Sequence, residues 1–347
     1  MPDESKPAWL TELDDTLATQ APEDEFSRIL AGLIKEYLLC DDDGVAATFA
    51  TRFDGLYAAV YEPRFNGYSG EKKGWTGFLH AFYAQLFRVS GKIQYDDPKQ
   101  DKVIQLLHAL RTLPARAVKL FVQSELGWLD AEVWRRDPLL PSALLINMPR
   151  EDPTLETYNF DDPLDVQDFD EDTTLWINSN AFWARCTGAG FDEESKFRFT
   201  HAGSSIATGL EEGYPKDLET KLDCHVMAAA QFLLHAGNVI DDECVRKRYS
   251  PSRYHSWKGF NDGNGPVVWK QWGERLAEIA AALDSGGELG FKLFEKNRAA
   301  LTDLVLRARN KVVGLEPEMF AQQTSPAATT SAGEEAEAEA EATVTGR

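Results

Sequence analysis

The chain has 347 residues, 43% of them hydrophobic and 27% charged, a composition that excludes wholesale disorder and collagen-like or low-complexity architectures. Lys and Arg number 36 against 57 Asp and Glu, a formal charge of −21, and a field of that sign repels phosphate backbones and anionic lipid, which disfavours nucleic acid as a partner. No apolar run reaches the roughly 18 residues of a membrane span, the start Met1 to Glu25 is acidic rather than signal-like, and Cys40, Cys186, Cys224 and Cys244 form no CxxC pair, so an intracellular protein, cytoplasmic or nuclear and away from membranes, is expected.

Residues 1–24 read as an N-terminal arm, and residues 25–136 as a first helical half. In Ile29, Leu30, Leu33, Ile34, Tyr37 and Leu38 the apolar positions lay one stripe along one helix face. The same spacing recurs in Phe49, Phe53, Leu56, Val60, in Phe78, Phe82, Leu86, Val89, and in Val103, Leu106, Leu107, Leu110. Pro114 suits a first helical turn ahead of Val118, Phe121, Val122 and Leu126, so a helix is expected there too. Residues 137–173 change character: Pro138, Pro141, Pro149, Pro153 and Pro163 recur, and Glu151 to Asp172 holds ten acids and no base. Prolines and self-repulsion predict an extended excursion without long helices.

A second helical half is expected over residues 174–316, with Val226, Ala230, Leu233, Gly237 and Ile240 on one face and Phe291, Phe294, Leu301, Leu304, Val305, Ala308 and Val312 near its end. Lys196 to Thr200 is the one short alternating, strand-like candidate. From Pro317 to Arg347 glutamate and alanine alternate with no apolar face, which predicts a disordered acidic tail. The whole reads as an all-α array of roughly ten to thirteen helices.

Local motifs offer little chemistry. His225 and His235 stand ten residues apart on one helix, about 15 Å along its axis, too far to share an ion whose ligands lie about 2 Å away. Asp241 and Asp242 lack a second acid one turn on, where Val245 and Arg246 stand, and Asp242–Arg246 and Glu243–Lys247 read as surface i, i+4 pairs. Asp168, Asp170 and Asp172 match alternate positions of a calcium loop, but Thr173 and Ser179 replace its glycine and its bidentate glutamate. Gly203-Ser204-Ser205 approximates a nucleophile elbow without the second glycine or the parallel sheet that the motif needs. Neither metal nor cofactor is expected. A basic island, Arg246, Lys247, Arg248, Arg253 and Lys258 with interleaved aromatics, is the anion-binding candidate, and its charge is expected to attract the acidic excursion.

Trp176, Asn180 and Trp183 fall at i, i+4 and i+7, placing an amide in an aromatic stripe where it must find partners. Asn180, Arg185, Gln231 and His235, with Trp176, Trp269 and Trp272, therefore form a candidate pocket or a set of braces between helices. Four ordered stretches carry a resemblance: Gln100 to Leu107 with Leu110, Leu175 to Arg185, Ala228 to Gly237, and Lys258-Gly259-Phe260 followed by Trp269 to Trp272. This set resembles the fungal domain-of-unknown-function family 3632 from about Phe26 to Val313, departing from it at the glycine-rich stretch Asn261 to Pro266. The resemblance implies a helical fold and brings no activity, cofactor or catalytic residue. Two functions remain: a non-catalytic module binding a protein partner, or a cryptic enzyme or small-ligand binder with a pocket between helices.

Overall fold

A computed structural model describes residues 6–19, 25–65, 74–122, 127–135, 139–147, 153–191, 198–211, 221–242 and 265–323. Among these residues the architecture is predominantly helical, with twelve α-helical segments and a single two-stranded hairpin. Most positions of the expected apolar stripes are buried, but Ile29 of the first stripe is 36% exposed, and Leu56, Val60, Phe291 and Phe294 are half-buried. Helix α1 (Ala8–Ala18) buries Trp9 and Leu13, and α2 (Glu25–Leu39) buries Leu30, Leu33, Ile34, Tyr37 and Leu38. Helix α3 (Ala46–Leu56) buries Phe49 and Phe53, then widens into a π-helical turn over Tyr57–Tyr61 before α4 (Glu62–Phe65). At the start of that turn the Tyr57 ring lies flat against Trp75, with centroids 3.9 Å apart and planes 14° from parallel. Helices α5 (Gly74–Lys92) and α6 (Lys99–Arg111) bury every position of their expected stripes.

The helix expected after Pro114 is instead an antiparallel hairpin, β1 (Ala117–Val122) with β2 (Gly127–Glu132). Val118, Phe121 and Val122 satisfy helical spacing, but β-branched and aromatic residues also suit a pleated, half-buried surface. Pairing decides between the two. Val118 stands opposite Ala131, Leu120 opposite Leu129 and Phe121 opposite Trp128, and the Phe121 amide donates to the Thr76 hydroxyl on α5 at 2.9 Å. After β2 the chain turns through Trp134, held at φ 67°, left-handed backbone that disfavours any residue with a Cβ. Its indole N–H donates to Asp54 at 2.9 Å and anchors the turn on α3.

Within the proline-rich stretch, α7 (Leu139–Asn147) and α8 (Pro163–Gly188) form, the latter 26 residues long. Long helices were not expected before residue 174. The reason is positional: Asp162 accepts the Leu164 amide at 2.9 Å as N-cap, and Pro163 takes the first helical place, where no N–H is missed. Asp165 to Asp172 is consequently helix rather than loop. The strand-like Lys196 to Thr200 is likewise overturned in part, because α9 (Arg198–Leu210) begins within it, while residues 196 and 197 lie outside the described residues. Helices α10 (Asp223–Ile240), α11 (Gly265–Ser285) and α12 (Arg298–Gln323) complete the chain. Helix α12 runs through Pro317 to Gln323, and the rest of the acidic tail lies outside the described residues.

Helix α10 packs on α8, α9 and α12, and α8 also reaches α5 and α6, so one contiguous apolar core serves the described chain. Close approach depends on two glycines: a Cβ at Gly188 would sit 2.1 Å from the His235 carbonyl oxygen, and one at Gly209 2.5 Å from that of His225. No helix among the described residues is long and apolar enough to cross a membrane.

Candidate functional site

From Trp176 to Thr187 helix α8 is buried on every side, because α5 and α6 flank it on one side and α9 and α10 on the other. Polar residues within this stretch must be hydrogen-bonded to be tolerated. Asn180 meets the requirement fully. Its Nδ2 donates to the Trp176 carbonyl at 2.9 Å, and its Oδ1 accepts from His201 Nε2 at 3.0 Å and from the Ser205 hydroxyl at 3.2 Å, tying α8 to α9. The His201 ring also stacks on Trp183 at 3.9 Å.

Arg185 faces the other way, toward α6. Its Nε donates to Asp101 at 2.8 Å, Nη1 to Gln100 Oε1 at 3.1 Å and to the Ala181 carbonyl at 3.3 Å, and Nη2 to the Tyr95 carbonyl at 2.9 Å. Gln100 in turn donates to the carbonyls of Ile93 and Asn178, and the Tyr95 amide donates to Asn178 Oδ1. The guanidinium thus joins α6, the α5–α6 connection and α8, with its fork spent on protein groups.

Gln231 is buried on α10 with neither amide atom hydrogen-bonded, and His235 is half-buried on the same helix. Burial, reinforced by the charges of Arg185 and Arg307, pushes the His235 imidazole down to about 3. The Trp269 indole donates to the Val312 carbonyl at 3.1 Å, fastening α11 to α12, and the Trp272 indole donates to Glu211 at 3.3 Å beyond the end of α9. Asn180 and Arg185 therefore hold different partner sets, and both tryptophans of α11 are joints between elements. Arg246, Lys247, Arg248, Arg253 and Lys258 lie outside the described residues.

Among the described residues two concavities stand out. The first is a cavity of about 40 Å³ between α8, α9 and α10, lined by Trp176, His201, Ser204, Ser205, Thr208, His225 and Ala228. Sequence reasoning placed Trp176 in a candidate pocket with Asn180, Arg185, Gln231 and His235, none of which lines this cavity, and did not single out His201 or Thr208. The available signal was a polar stripe, His201, Ser204, Ser205 and Thr208, at helical spacing beside the apolar Ala202, Ile206, Ala207 and Leu210. Burial holds His201 and His225 near 4, with Lys221 reinforcing it at His225 and the Pro153 carbonyl opposing it, so both rings are neutral at neutral pH.

The second is a groove of about 1170 Å³ between α1 and the first half of α8, with Gly91, Leu175 and Asn178 among its lining residues. Its walls carry Glu12, Asp15, Asp97, Asp170, Glu171 and Asp172 against Lys6, Lys92 and Lys296. All three lysines are already ion-paired: Lys6 with Asp14, Lys92 with Glu12 at 2.7 Å, and Lys296 with Asp170. The balance left in the groove is negative.

The profile of the DUF3632 family, described as protein of unknown function, matches residues 83–276, more than half of the chain. The chain belongs to this family. The DUF3632 match takes in the Arg185 brace, the Asn180 junction and the whole small cavity, while α1, with its wall of the groove, and α12 lie outside it. No curated protein and no solved structure matches the chain.

Proposed function

We propose that this DUF3632 protein is a non-catalytic protein-interaction module whose α1–α8 groove receives a lysine- and arginine-rich segment of a partner. The groove is the observation that carries the reading. At about 1170 Å³ it exceeds the roughly 300–1,000 Å³ of small-molecule pockets, and its surplus of carboxylates has the sign to attract a cationic peptide. The spent donors of Arg185 and Asn180 favour the same reading, since groups that brace helices are not free to turn over a substrate. The alternative of a cryptic enzyme or small-ligand-binding protein draws on the cavity beside Trp176, which at about 40 Å³ admits only a few heavy atoms.

Fluorescence anisotropy with a labelled octapeptide of alternating lysine and arginine tests the proposal. Asp15→Lys combined with Glu171→Lys on the groove should weaken binding about tenfold, equivalent to about 1.4 kcal/mol. Asp130→Lys combined with Asp284→Lys, on surfaces outside the groove, should change it little. Equal losses in the two double variants would mean that the peptide feels only the net charge, and the groove reading would fall.

A further inference from the structure

The hairpin has two edges, and they differ in what covers them. The Val133 amide donates to the Arg116 carbonyl at 3.0 Å, which marks these two residues as a hydrogen-bonded antiparallel pair. Bonded pairs alternate along such a ladder, so Val118–Ala131, Leu120–Leu129 and Val122–Gly127 spend their amides and carbonyls between the strands. The intervening pairs turn those groups outward. On β1 the outward Phe121 amide is taken by the Thr76 hydroxyl at 2.9 Å, where α5 packs on the strand. On β2 the outward groups belong to Trp128, Asp130 and Glu132, and among the described residues nothing hydrogen-bonds to their backbones.

Two apolar side chains beside this open edge are exposed, Trp128 at 47% and Leu129 at 38%. They stand on opposite faces of the strand: Trp128 meets the Phe121 ring at 5.6 Å on the outer face, and Leu129 shares the inner face with buried Leu120 and Ala131. An added strand therefore finds free backbone groups along its length and apolar cover on both faces, the two requirements of strand addition. A second copy of the chain is a poor occupant. Antiparallel pairing of β2 with itself about Asp130 sets like charges directly opposite, and each molecule carries a formal charge of −21. Charge instead selects the partner. Asp130 already has Lys119 at 3.2 Å across the hairpin, whereas among the described residues no cation pairs with Glu132. We propose that the β2 edge binds an extended segment of another protein, antiparallel to β2. That segment places a lysine or arginine opposite Glu132, a neutral residue opposite Asp130, an aromatic residue opposite Trp128, and β-branched residues opposite Ala131 and Leu129. The site is independent of the groove, and the lysine and arginine octapeptide brings it no aromatic or β-branched side chain.

The probe is the capped peptide Lys-Val-Thr-Val-Tyr, added to the full-length ¹⁵N-labelled protein. In the free protein the Trp128, Asp130 and Glu132 amides should exchange freely with solvent, and saturating peptide should slow their exchange by about tenfold or more. N-methylation of the central threonine removes a donor turned toward β2 and should abolish binding, while N-methylation of either valine, turned away from β2, should leave it. These changes leave the protein untouched, so a failure to fold does not enter. Glu132→Lys should weaken binding several-fold, and a peptide with glutamate in the first place should restore it. Amides already protected in the free protein would mean that another segment of this chain covers the edge, or a second copy if protection grows with protein concentration. Either result, no binding, equal losses from both kinds of N-methylation, or a charge swap without rescue would each overturn the assignment.

Discussion

Replacing Arg185 by Met tests whether this guanidinium braces the fold. The side chain is 8% exposed, and its methionine substitute fills similar space without donors. Gln100 Oε1 and the Tyr95 carbonyl would each lose a donor, and an orphaned buried acceptor costs about 1–3 kcal/mol. With the lost charge-assisted bond to Asp101, the sum should reach about 3–5 kcal/mol, the usual cost of breaking a buried charged network. Asp101 should respond quite differently. Its side chain is 60% exposed, so Asp101→Asn removes an interaction already screened by water and should cost at most about 1 kcal/mol. Arg185→Lys should fall between the two, keeping the charge but losing the fork. Urea denaturation with constant m-values reads all three variants. If Arg185→Met costs under about 1 kcal/mol, the guanidinium does not brace the helices.

Gly188→Ala should destabilise by about 1–3 kcal/mol in spite of alanine's better helix propensity, because its Cβ meets the His235 carbonyl at 2.1 Å; a higher melting temperature would refute the close packing. Trp176→Ala should cost about 3–5 kcal/mol by chemical denaturation, the penalty for emptying a buried aromatic site, and a loss under about 1 kcal/mol would move the ring to the surface. His201 and His225, held near 4, and His235, near 3, take up protons more readily unfolded than folded. Their contribution is fully present above the ordinary histidine value of about 6.5 and is lost as pH falls toward 4, so the urea midpoint should drop between pH 7 and 5. Half-buried Glu211 and buried Asp223, raised by desolvation, act in the opposite sense, and a His225→Phe variant with an unchanged pH slope would remove His225 from this account. Deleting residues 324–347 should leave the melting temperature unchanged by calorimetry, since glutamate and alanine alternate there without an apolar face.

Helices were legible wherever a single apolar stripe faces a single core, as in α2, α5 and α6. Other elements were hidden because one residue pattern satisfies two geometries. Val118, Phe121 and Val122 fit a helix face as well as a strand, and only pairing with Gly127–Glu132 separates the readings. Pro163 looked like a breaker until Asp162 beside it was seen to cap a helix. The brace around Arg185 was foreseeable as a need but not as a set of partners, because Asp101 and Tyr95 lie 84 and 90 residues away in the chain. Asn180 is the converse case: its amide within an aromatic stripe required hydrogen bonds, and Trp176, His201 and Ser205 supply them.

The full enclosure of the second half of α8 bears on how the protein is made. During synthesis α5 and α6 leave the ribosome with Gln100 and the Tyr95 carbonyl waiting for a guanidinium that arrives 85 and 90 residues later. At about 5–20 residues per second that interval lasts roughly 4–18 seconds, during which the aromatic flank of α5 has no cover from α8. Folding of the N-terminal segment on the ribosome is therefore incomplete until Gly188 has emerged, and a nascent chain stalled before α8 should be a chaperone client, whereas protease resistance should appear only once α9 and α10 have emerged to cover the other side of α8.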